Sequence, residues 1–327
     1  MHAIDVLAGG MLTTIQDLGR TEGVGPGVPR SGALDSWSLS AANRLVGNPD
    51  GAAGLEMTFV GPVLRFDGAG AAALAGADLG ALLNGHPVAP WRSFTVTPGA
   101  VLTFAGARDG MRGYLAVAGG IDVPIVIGSR STCVRQGVGG LEGRPLRGGD
   151  RLLVGPRGPL DDPVRQVPRR SIPTYGHAPT LRVVIGRRGG AFTDEGLGTF
   201  LGGTYTLALQ SDRTACQLIG PAVDIVGPEE PDAVSAGPGS VLVSRDGLPI
   251  VLMVDGVPAG QCPLVATVVA ADLPRLAQAA PGDRVRFSRI GPSDAEALLE
   301  SARAALEGIG AVIMGVRFAQ DLGTKPA

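Results

Sequence analysis

The chain has 327 residues and a formal net charge of −2, which argues against the concentrated basic surface that nucleic acids or anionic membranes require. Hydrophobic residues make up 44% and charged residues 18%, so the composition is that of a globular protein, and the length suggests about two domains. Lys325 is the only lysine, so we expect no Schiff base, no phosphate-loop ammonium and no attached biotin in this chain.

Short apolar runs separated by glycine and proline predict a chain made mostly of β-strands. In chain order, strands are expected at Ala3–Leu7, Val63–Phe66, Ala71–Ala75, Val101–Phe104, Gly113–Val117, Arg151–Val154, Leu181–Ile185, Tyr205–Leu209, Ser240–Val243, Ile250–Val254 and Arg284–Ser288. Helices are expected at Asp35–Val46, Ala271–Ala279 and Asp294–Leu306. Because strands outnumber helices and do not alternate with them, a doubly wound parallel sheet is not expected.

Three short sequence echoes suggest that the chain contains a duplicated β unit. They pair Pro98–Leu102 with Pro238–Leu242, Gly120–Pro124 with Asp255–Pro258, and Gly149–Leu152 with Gly282–Val285. We therefore expect an N-terminal β lobe over residues 1–155, a C-terminal β lobe over residues 180–292, and a C-terminal helix with a flexible tail over residues 293–327. The proline- and arginine-rich stretch Gly155–Pro179 is the expected linker.

Polar residues at strand ends and in glycine-rich loops are the candidate functional residues, because sites tend to be carried by loops on a rigid scaffold. For each of them the alternative is a structural role in closing a turn or capping a helix. The residues expected to line one polar cleft are Gln16, Asp17, Arg20, Ser31, Asp35, Arg112, Arg130 and Ser131, with Asp255 and Gln261 contributed by the second half.

Several catalytic signatures are missing from the sequence. It has no GxSxG, no HExxH, no Walker loop and no dinucleotide-binding glycine motif after a strand, and its three histidines are isolated, so a Ser-His-Asp or Cys-His site is not expected. The three cysteines are far apart and predict neither disulfides nor a metal site. No signal peptide and no apolar stretch of roughly 20 residues is present, so we expect a cytoplasmic protein.

Several long segments together resemble the allophanate hydrolase subunit 2 family, over roughly residues 3–290. This family includes the 5-oxoprolinase C subunit, an antagonist of a sporulation-kinase inhibitor and part of the carboxyltransferase region of urea carboxylase. The matching segments are TxQDxGR (14–20), GVxxSGALD (27–35), ANRLVGN (42–48), LEMT with a following GP (55–62), RxYLAVAGGIDVPxVxGSRST (112–132), GLPIVLM (247–253) and ATVxxADLPRLAQxxPGD (266–283).

The resemblance implies a mainly β fold of two cyclophilin-like β-barrel lobes and a B-type partner subunit. In the 5-oxoprolinase case it also implies an A subunit and the ATP-dependent opening of 5-oxoproline to L-glutamate, with ATP bound by the complex and not certainly by this chain. Within the matching segments, Arg20, Asp35 and Arg130 are the expected catalytic residues, and the other cleft residues are expected to bind substrate. An arginine fork would match a substrate carboxylate, and an aspartate could relay a proton.

The second half departs from the family pattern. Relatives usually have DRMGYRL, SEG and DxxTxGGYP where this chain has Asp212–Leu218, Ser235–Gly237 and Asp255–Pro263, so a tyrosine, a glutamate and a threonine are missing. If those groups contact substrate, the activity or the substrate has changed. Three functions therefore stay open: a 5-oxoprolinase-type hydrolase subunit that is inactive alone, a carboxyltransferase-type subunit acting on urea-like amides with biotin on another chain, and a regulatory binding module.

Overall fold

The computed structural model describes residues 1–24, 28–156, 165–186, 191–226, 236–256 and 262–321, with side chains in the last helix described as far as Ile309. Within these ranges, strands β1 to β12 precede residue 155. Their bounds are β1 Ala3–Ala8, β2 Leu12–Gln16, β3 Gly54–Thr58, β4 Val63–Phe66, β5 Gly70–Asp78, β6 Ala81–Leu83, β7 His86–Pro87, β8 Arg92–Val96, β9 Val101–Phe104, β10 Asp109–Val117, β11 Ile121–Asp122 and β12 Arg151–Val154.

These strands form two sheets that share one apolar core, called here the N-terminal sheets. One sheet has the order β11-β12-β1-β4-β9-β6-β7 and the other β2-β3-β10-β5-β8. Alternate residues of both sheets point into the core, so that Ile4 and Leu64 from the first sheet join Leu55, Met57 and Leu115 from the second. β2 pairs with β3 and β3 with β10, which brings the chain segment after Gln16 close to the middle of the five-stranded sheet.

The second half of the chain closes into a seven-stranded barrel in the order β13-β18-β16-β17-β15-β14-β19. β19 pairs parallel with β13, and this contact between the last and first strands completes the closure. Phe287 stacks on Phe200 at 4.5 Å inside. The strand bounds are β13 Thr180–Ile185, β14 Tyr205–Leu207, β15 Ala215–Ile219, β16 Ser240–Val243, β17 Pro249–Leu252, β18 Leu264–Val268 and β19 Arg284–Arg289.

The helices are α1 Ser36–Leu45, α2 Asp194–Gly202, α3 Leu273–Gln278 and α4 Pro292–Asp321. No helix in the described ranges combines the length and the apolar character needed to cross a bilayer. α2 was not expected from the sequence, because Gly196, Gly198 and Gly202 lower its helix propensity. Its start is nevertheless capped, since Thr193 Oγ1 accepts a hydrogen bond from the Gly196 amide at 2.8 Å.

Two of the three sequence echoes mark the same local structure in both halves. Gly99 (φ +80°) precedes β9 and Gly239 (φ +91°) precedes β16, while Gly149 (φ +95°) and Gly282 (φ +93°) precede β12 and β19. A positive φ is open to glycine without steric cost, so each echo is a left-handed turn that leads into a strand. The expected mainly β fold with few helices is confirmed.

Helix α1 packs across the five-stranded sheet and positions the segment that precedes it. Its Ala41, Ala42 and Leu45 lie in a cluster with Ala73 and Ala116 of the sheet, and these small side chains let helix and strands approach closely. The Asp35 side chain caps the helix by accepting a hydrogen bond from the Ser38 amide at 3.0 Å. The Asp35 end of α1 is thereby fixed beside β10 and the barrel.

Candidate functional site

The loop over residues 128–132 encloses the carboxylate of Asp17. Asp17 Oδ1 accepts hydrogen bonds from the hydroxyls of Ser129 (2.7 Å) and Ser131 and from the Gly19 amide (2.8 Å). Its Oδ2 accepts from the Arg130 amide at 2.6 Å. Serine hydroxyls and backbone N–H groups of this kind also bind external anions, but here the anion is a side chain of the same protein.

The Arg20 guanidinium is buried beside this loop and is only partly satisfied. Its Nη2 donates to the Ser131 carbonyl oxygen at 2.8 Å, while Nε and Nη1 have no hydrogen-bond partner within the described part of the chain. Gln16 Oε1 is likewise unpartnered, although Gln16 Nε2 donates to the Thr132 carbonyl oxygen at 3.0 Å. Since an uncompensated buried charge is unfavourable, these atoms are suited to an external carboxylate and to a ligand N–H donor.

Arg130 points away from this pair. Its backbone amide binds Asp17, whereas its side chain is about one-third exposed and lies along the preceding loop. Arg130 Nε donates to the Val123 carbonyl oxygen at 3.0 Å, and Nη2 is 3.3 Å from Asp122 Oδ1. The visible role of Arg130 is to hold the loop in shape.

Backbone pairing joins the Asp17 segment to the loop that enters α1. The Ala33 amide donates to the Asp17 carbonyl oxygen at 2.9 Å, and the Arg20 amide donates to the Arg30 carbonyl oxygen at 2.7 Å. Ser31 has a φ of +55°, and its amide donates to the Val254 carbonyl oxygen of the barrel at 2.9 Å. Its hydroxyl is buried without a partner among the described residues, so Ser31 stands between the two halves with one unused polar group.

A second polar cluster, which we call the seam network, lies between the N-terminal sheets and the barrel. Arg213 pairs with Glu56 through Nη1, donates from Nε to Asp255 Oδ2 at 2.8 Å, and donates from Nη2 to the Gly32 carbonyl oxygen at 2.7 Å. Glu56 Oε2 also accepts from the Tyr114 hydroxyl at 2.8 Å. The whole network is buried, so one guanidinium orients two carboxylates and a loop carbonyl.

Asp35 is bound at the other end of this seam. Asp35 Oδ2 accepts from the Ser38 hydroxyl at 2.6 Å and from Gln278 Nε2 at 2.8 Å. Gln278 Oε1 in turn accepts from the Arg112 amide at 2.9 Å, and the Arg112 side chain donates to the Ala277 carbonyl oxygen. Burial raises the pKa of Asp35 above its ordinary value despite the hydrogen bonds from Ser38 and Gln278. This carboxyl therefore holds its proton to a higher pH than an exposed aspartate does.

The candidate residues are thus divided between two groups, in which Asp17 and Arg130 are partly exposed and the others buried, and they do not line one open cleft. The first group holds Gln16, Asp17, Arg20, Arg130 and Ser131; the second holds Asp35, Arg112 and Asp255; and Ser31 lies between them. Gln261 lies outside the described residues. A surface hollow of about 480 Å³ is found elsewhere, where β13, β19 and the start of α4 meet, and none of the candidates lines it.

Sequence reasoning missed Glu56, Arg213 and Gln278 as functional candidates. Glu56 and Gln278 lie in segments that match the family motifs, and Arg213 lies in the segment Asp212–Leu218 that departs from them, so the sequence carried a signal. The motifs did not mark these three residues as functional, because the partners they bind are far away in sequence. Arg213 lies 157 residues from Glu56, and Gln278 lies 243 residues from Asp35.

The family model of the carboxyltransferase domain, subdomains A and B, matches residues 26–289, and the chain belongs to this family. The C subunit of 5-oxoprolinase from Escherichia coli (strain K12) is 37% identical over 285 residues, which are 87% of this chain and 90% of that protein. The resemblance inferred from the motifs is confirmed.

Longer proteins contain a similar region. The putative urea carboxylase of Emericella nidulans is 34% identical over 300 residues, covering 88% of this chain and 24% of that protein. The solved structure of the urea amidolyase from K. lactis superposes with a TM-score of 0.85 at 29% identity, covering 94% of this chain and 20% of that one. The chain thus corresponds to about a quarter or a fifth of these larger proteins.

Proposed function

We propose that the chain is the C-type subunit of an ATP-dependent 5-oxoprolinase, which opens 5-oxoproline to L-glutamate together with a B-type subunit and an A subunit. The observation that carries this proposal is the similarity to the 5-oxoprolinase C subunit of E. coli, which spans nearly the full length of both chains. The match to urea carboxylase and amidolyase covers only a fraction of those proteins, so it favours this assignment less.

The buried polar groups support a substrate that carries both a carboxylate and an amide. In the proposed site, the two free nitrogens of Arg20 receive the carboxylate as a fork, and the free Gln16 Oε1 accepts a hydrogen bond from the amide N–H. Arg20 is closed to solvent in the isolated chain. The loop that carries Gly139 lies next to Arg20 Nη2. The proposal therefore requires that this loop moves away from Arg20 when the enzyme assembles.

Asp35, which lies in the second group of candidate residues and not beside Arg20, is proposed to carry a proton in the assembled enzyme. Burial raises its pKa, which favours the protonated form that a proton donor needs, and its hydrogen bonds to Ser38 and Gln278 keep the carboxyl oriented. Arg130 is assigned to the site through its backbone amide, which fixes Asp17 and thereby the loop beside Arg20.

ATP is proposed to bind to another subunit of the complex. The hydroxyls and amides of residues 129–131 are the groups of this chain best suited to a phosphate, but Asp17 already occupies them. We propose no metal site and no attached biotin for this chain.

The test is reconstitution. The chain is purified with its B-type partner and an A subunit from the same genome, and ATP hydrolysis and glutamate formation are measured with and without 5-oxoproline. We expect turnover from the complete set, and none from this chain alone or from a set that lacks it. Turnover by the isolated chain would contradict the proposal, as would a complete complex without 5-oxoproline-dependent hydrolysis.

A second candidate is carboxyl transfer to a urea-like amide, which is favoured by the structural similarity to urea amidolyase. Biotin would then be carried by another chain. Carboxylation of urea by the reconstituted mixture with a biotinylated partner, without 5-oxoproline turnover, would select this function.

The departures in the second half also suggested a regulatory binding module. Cys216, which stands at the position of the family's usual tyrosine, is buried in the barrel core. The change at this position therefore alters packing in the barrel, and it is a weaker argument for a changed ligand than the sequence indicated.

A further inference from the structure

A tight turn beside Asp17 carries an unfavourable residue at its tip. The Val126 amide donates to the Ser129 carbonyl oxygen at 2.8 Å and the Ser129 amide donates back at 3.3 Å, so Ile127 and Gly128 form a two-residue loop. Their φ angles are +51° and +71°. Turns with two positive φ angles favour Asn or Asp followed by Gly, and a β-branched residue is unfavourable at the first position.

The same turn exposes apolar surface. Ile125 is 61% exposed and Ile127 42% exposed, while Val24 of the adjoining segment is 50% exposed. The two segments touch, because a Cβ on Gly23 would lie 2.6 Å from Ile127 Cγ2. We call the surface formed by Val24, Ile125 and Ile127 the apolar tip.

The base of the turn is held from both sides. Asp17 accepts hydrogen bonds from the Ser129 hydroxyl and the Arg130 amide, and the Arg130 side chain binds the Val123 carbonyl oxygen and pairs with Asp122. The tip is therefore presented in a fixed shape before any partner binds, which lowers the entropic cost of association. Strain and exposure at a preorganised turn are the combination expected of a contact residue.

We propose that the apolar tip is the anchor by which this chain docks into an apolar pocket on the B-type subunit. This docking rests on the proposed function, because an interface of this kind requires an enzyme assembled from several subunits. The E. coli relative of nearly equal length is named a subunit, and in K. lactis urea amidolyase the similar region is a fifth of the chain, so further polypeptide accompanies this fold. The partly exposed ion pair of Asp122 and Arg130 at the foot of the tip matches a polar rim around that pocket.

The test separates folding from docking through one substitution. Ile127→Asn creates the Asn-Gly pair that this turn prefers, so the isolated variant is expected to melt at the same temperature as the wild type or higher. Its affinity for the B-type subunit, measured by titration calorimetry, is expected to fall at least about tenfold. Ile125→Asn is a second variant with the same expected loss. Leu209→Asn, at an 81% exposed position of the barrel, is the matched control and should bind as the wild type does.

Three outcomes would overturn the docking surface. They are a lower melting temperature for Ile127→Asn than for the wild type, unchanged affinity of both tip variants for the B-type subunit, or an equal loss of affinity in the control Leu209→Asn. A wild-type homodimer that dissociates on Ile127→Asn would identify a second copy as the occupant and overturn the choice of partner. At saturating B-type subunit, Ile127→Asn should regain 5-oxoproline-dependent ATP hydrolysis. A wild-type complex that assembles without turnover would support the docking surface and contradict the proposed function, whereas failure of the wild type to assemble would overturn both.

Discussion

Arg213 of the barrel and Glu56 of β3 form an ion pair that is almost entirely buried, with side-chain exposures of 6% and 1%. The same guanidinium reaches Asp255, so this part of the contact between the two halves holds one positive charge between two negative ones. Such a pair adds little stability relative to apolar packing, but losing one member leaves the others unpaired away from water.

Arg213→Met should therefore lower the free energy of unfolding by about 3–5 kcal/mol, because the carboxylates of Glu56 and Asp255 would remain buried without the positive charge that pairs with both. Chemical denaturation followed by tryptophan fluorescence measures this change, since Trp37 and Trp91 both lie in the N-terminal half with ring centroids 5.5 Å apart. Arg65→Met is the control, because Arg65 pairs with Asp5 while half exposed, and its loss should stay below about 1 kcal/mol. Equal losses in the two variants would contradict the role of the seam network.

The stability of the wild type should depend on the proton of Asp35. Burial raises the pKa of this carboxyl above its ordinary value of 3.8, so the folded chain binds the proton more tightly than the unfolded chain. The protonated Asp35 contributes its full stabilisation below about pH 3.8, and this stabilisation is lost as the pH rises through the pKa of Asp35 in the folded chain. Denaturation series at increasing pH above about 4 should show a smaller decline for Asp35→Asn than for the wild type.

Ser38→Ala provides the matched variant for this test. It removes a hydrogen bond that lowers the pKa of Asp35 while the titrating group stays in place, so it should make the decline with pH steeper. Parallel curves for wild type and Asp35→Asn would show that Asp35 does not titrate in this range.

Arg20→Met should leave the chain folded and reduce the activity of the assembled complex at least about tenfold, or 1.4 kcal/mol. The reason is that two of its nitrogens have no partner in the described chain, so the substitution removes only one hydrogen bond, to Ser131. The neighbouring exposed Arg30 offers the control Arg30→Met, which should keep full activity. A large loss of stability with unchanged activity per folded molecule would assign Arg20 a structural role. Full activity in Arg20→Met would remove Arg20 from the site.

Asp17→Asn should loosen the loop over residues 122–132. The amide can replace only part of the acceptor capacity that the carboxylate offers to Ser129, Arg130 and Ser131, and hydrogen bonds to a charged group contribute about 1.5–3 kcal/mol each. Hydrogen–deuterium exchange should accelerate in this loop and remain unchanged in β13 to β19. Unchanged exchange in the loop would show that Asp17 does not hold it.

Local features of the fold could be predicted from the sequence. The start of α1 followed from Asp35 before an apolar helix pattern, and the observed helix begins one residue later, at Ser36. The last helix was expected to end at Leu306, but it continues to Asp321. The sequence does not predict α2, because its glycines lower the helix propensity of the segment more than the Thr193 cap raises it. In the structure, the packing of Phe200 in the barrel core stabilises the helix.

The candidate site could be predicted only residue by residue. The motifs identified Asp17, Ser131 and Arg130, but not that the first would fill the loop formed by the other two, since they are more than a hundred positions apart. Periodicity and spacing describe neighbours along the chain, and they carry no information on which distant polar groups satisfy one another. The division of the cleft residues into two groups follows from such distant pairing.

The parallel contact between β13 and β19 has a consequence for biosynthesis. Because the first and last strands of the barrel lie side by side, the ring of hydrogen bonds cannot close until Arg289 has left the ribosome, whereas the N-terminal sheets are already complete at Val154. During elongation β13 therefore waits with its edge unpaired on the β19 side, and such edges are prone to pair with other chains. Slow translation between β18 and β19 should consequently favour aggregation of the nascent chain, and this stretch of the message is where synonymous codon choice should affect yield most.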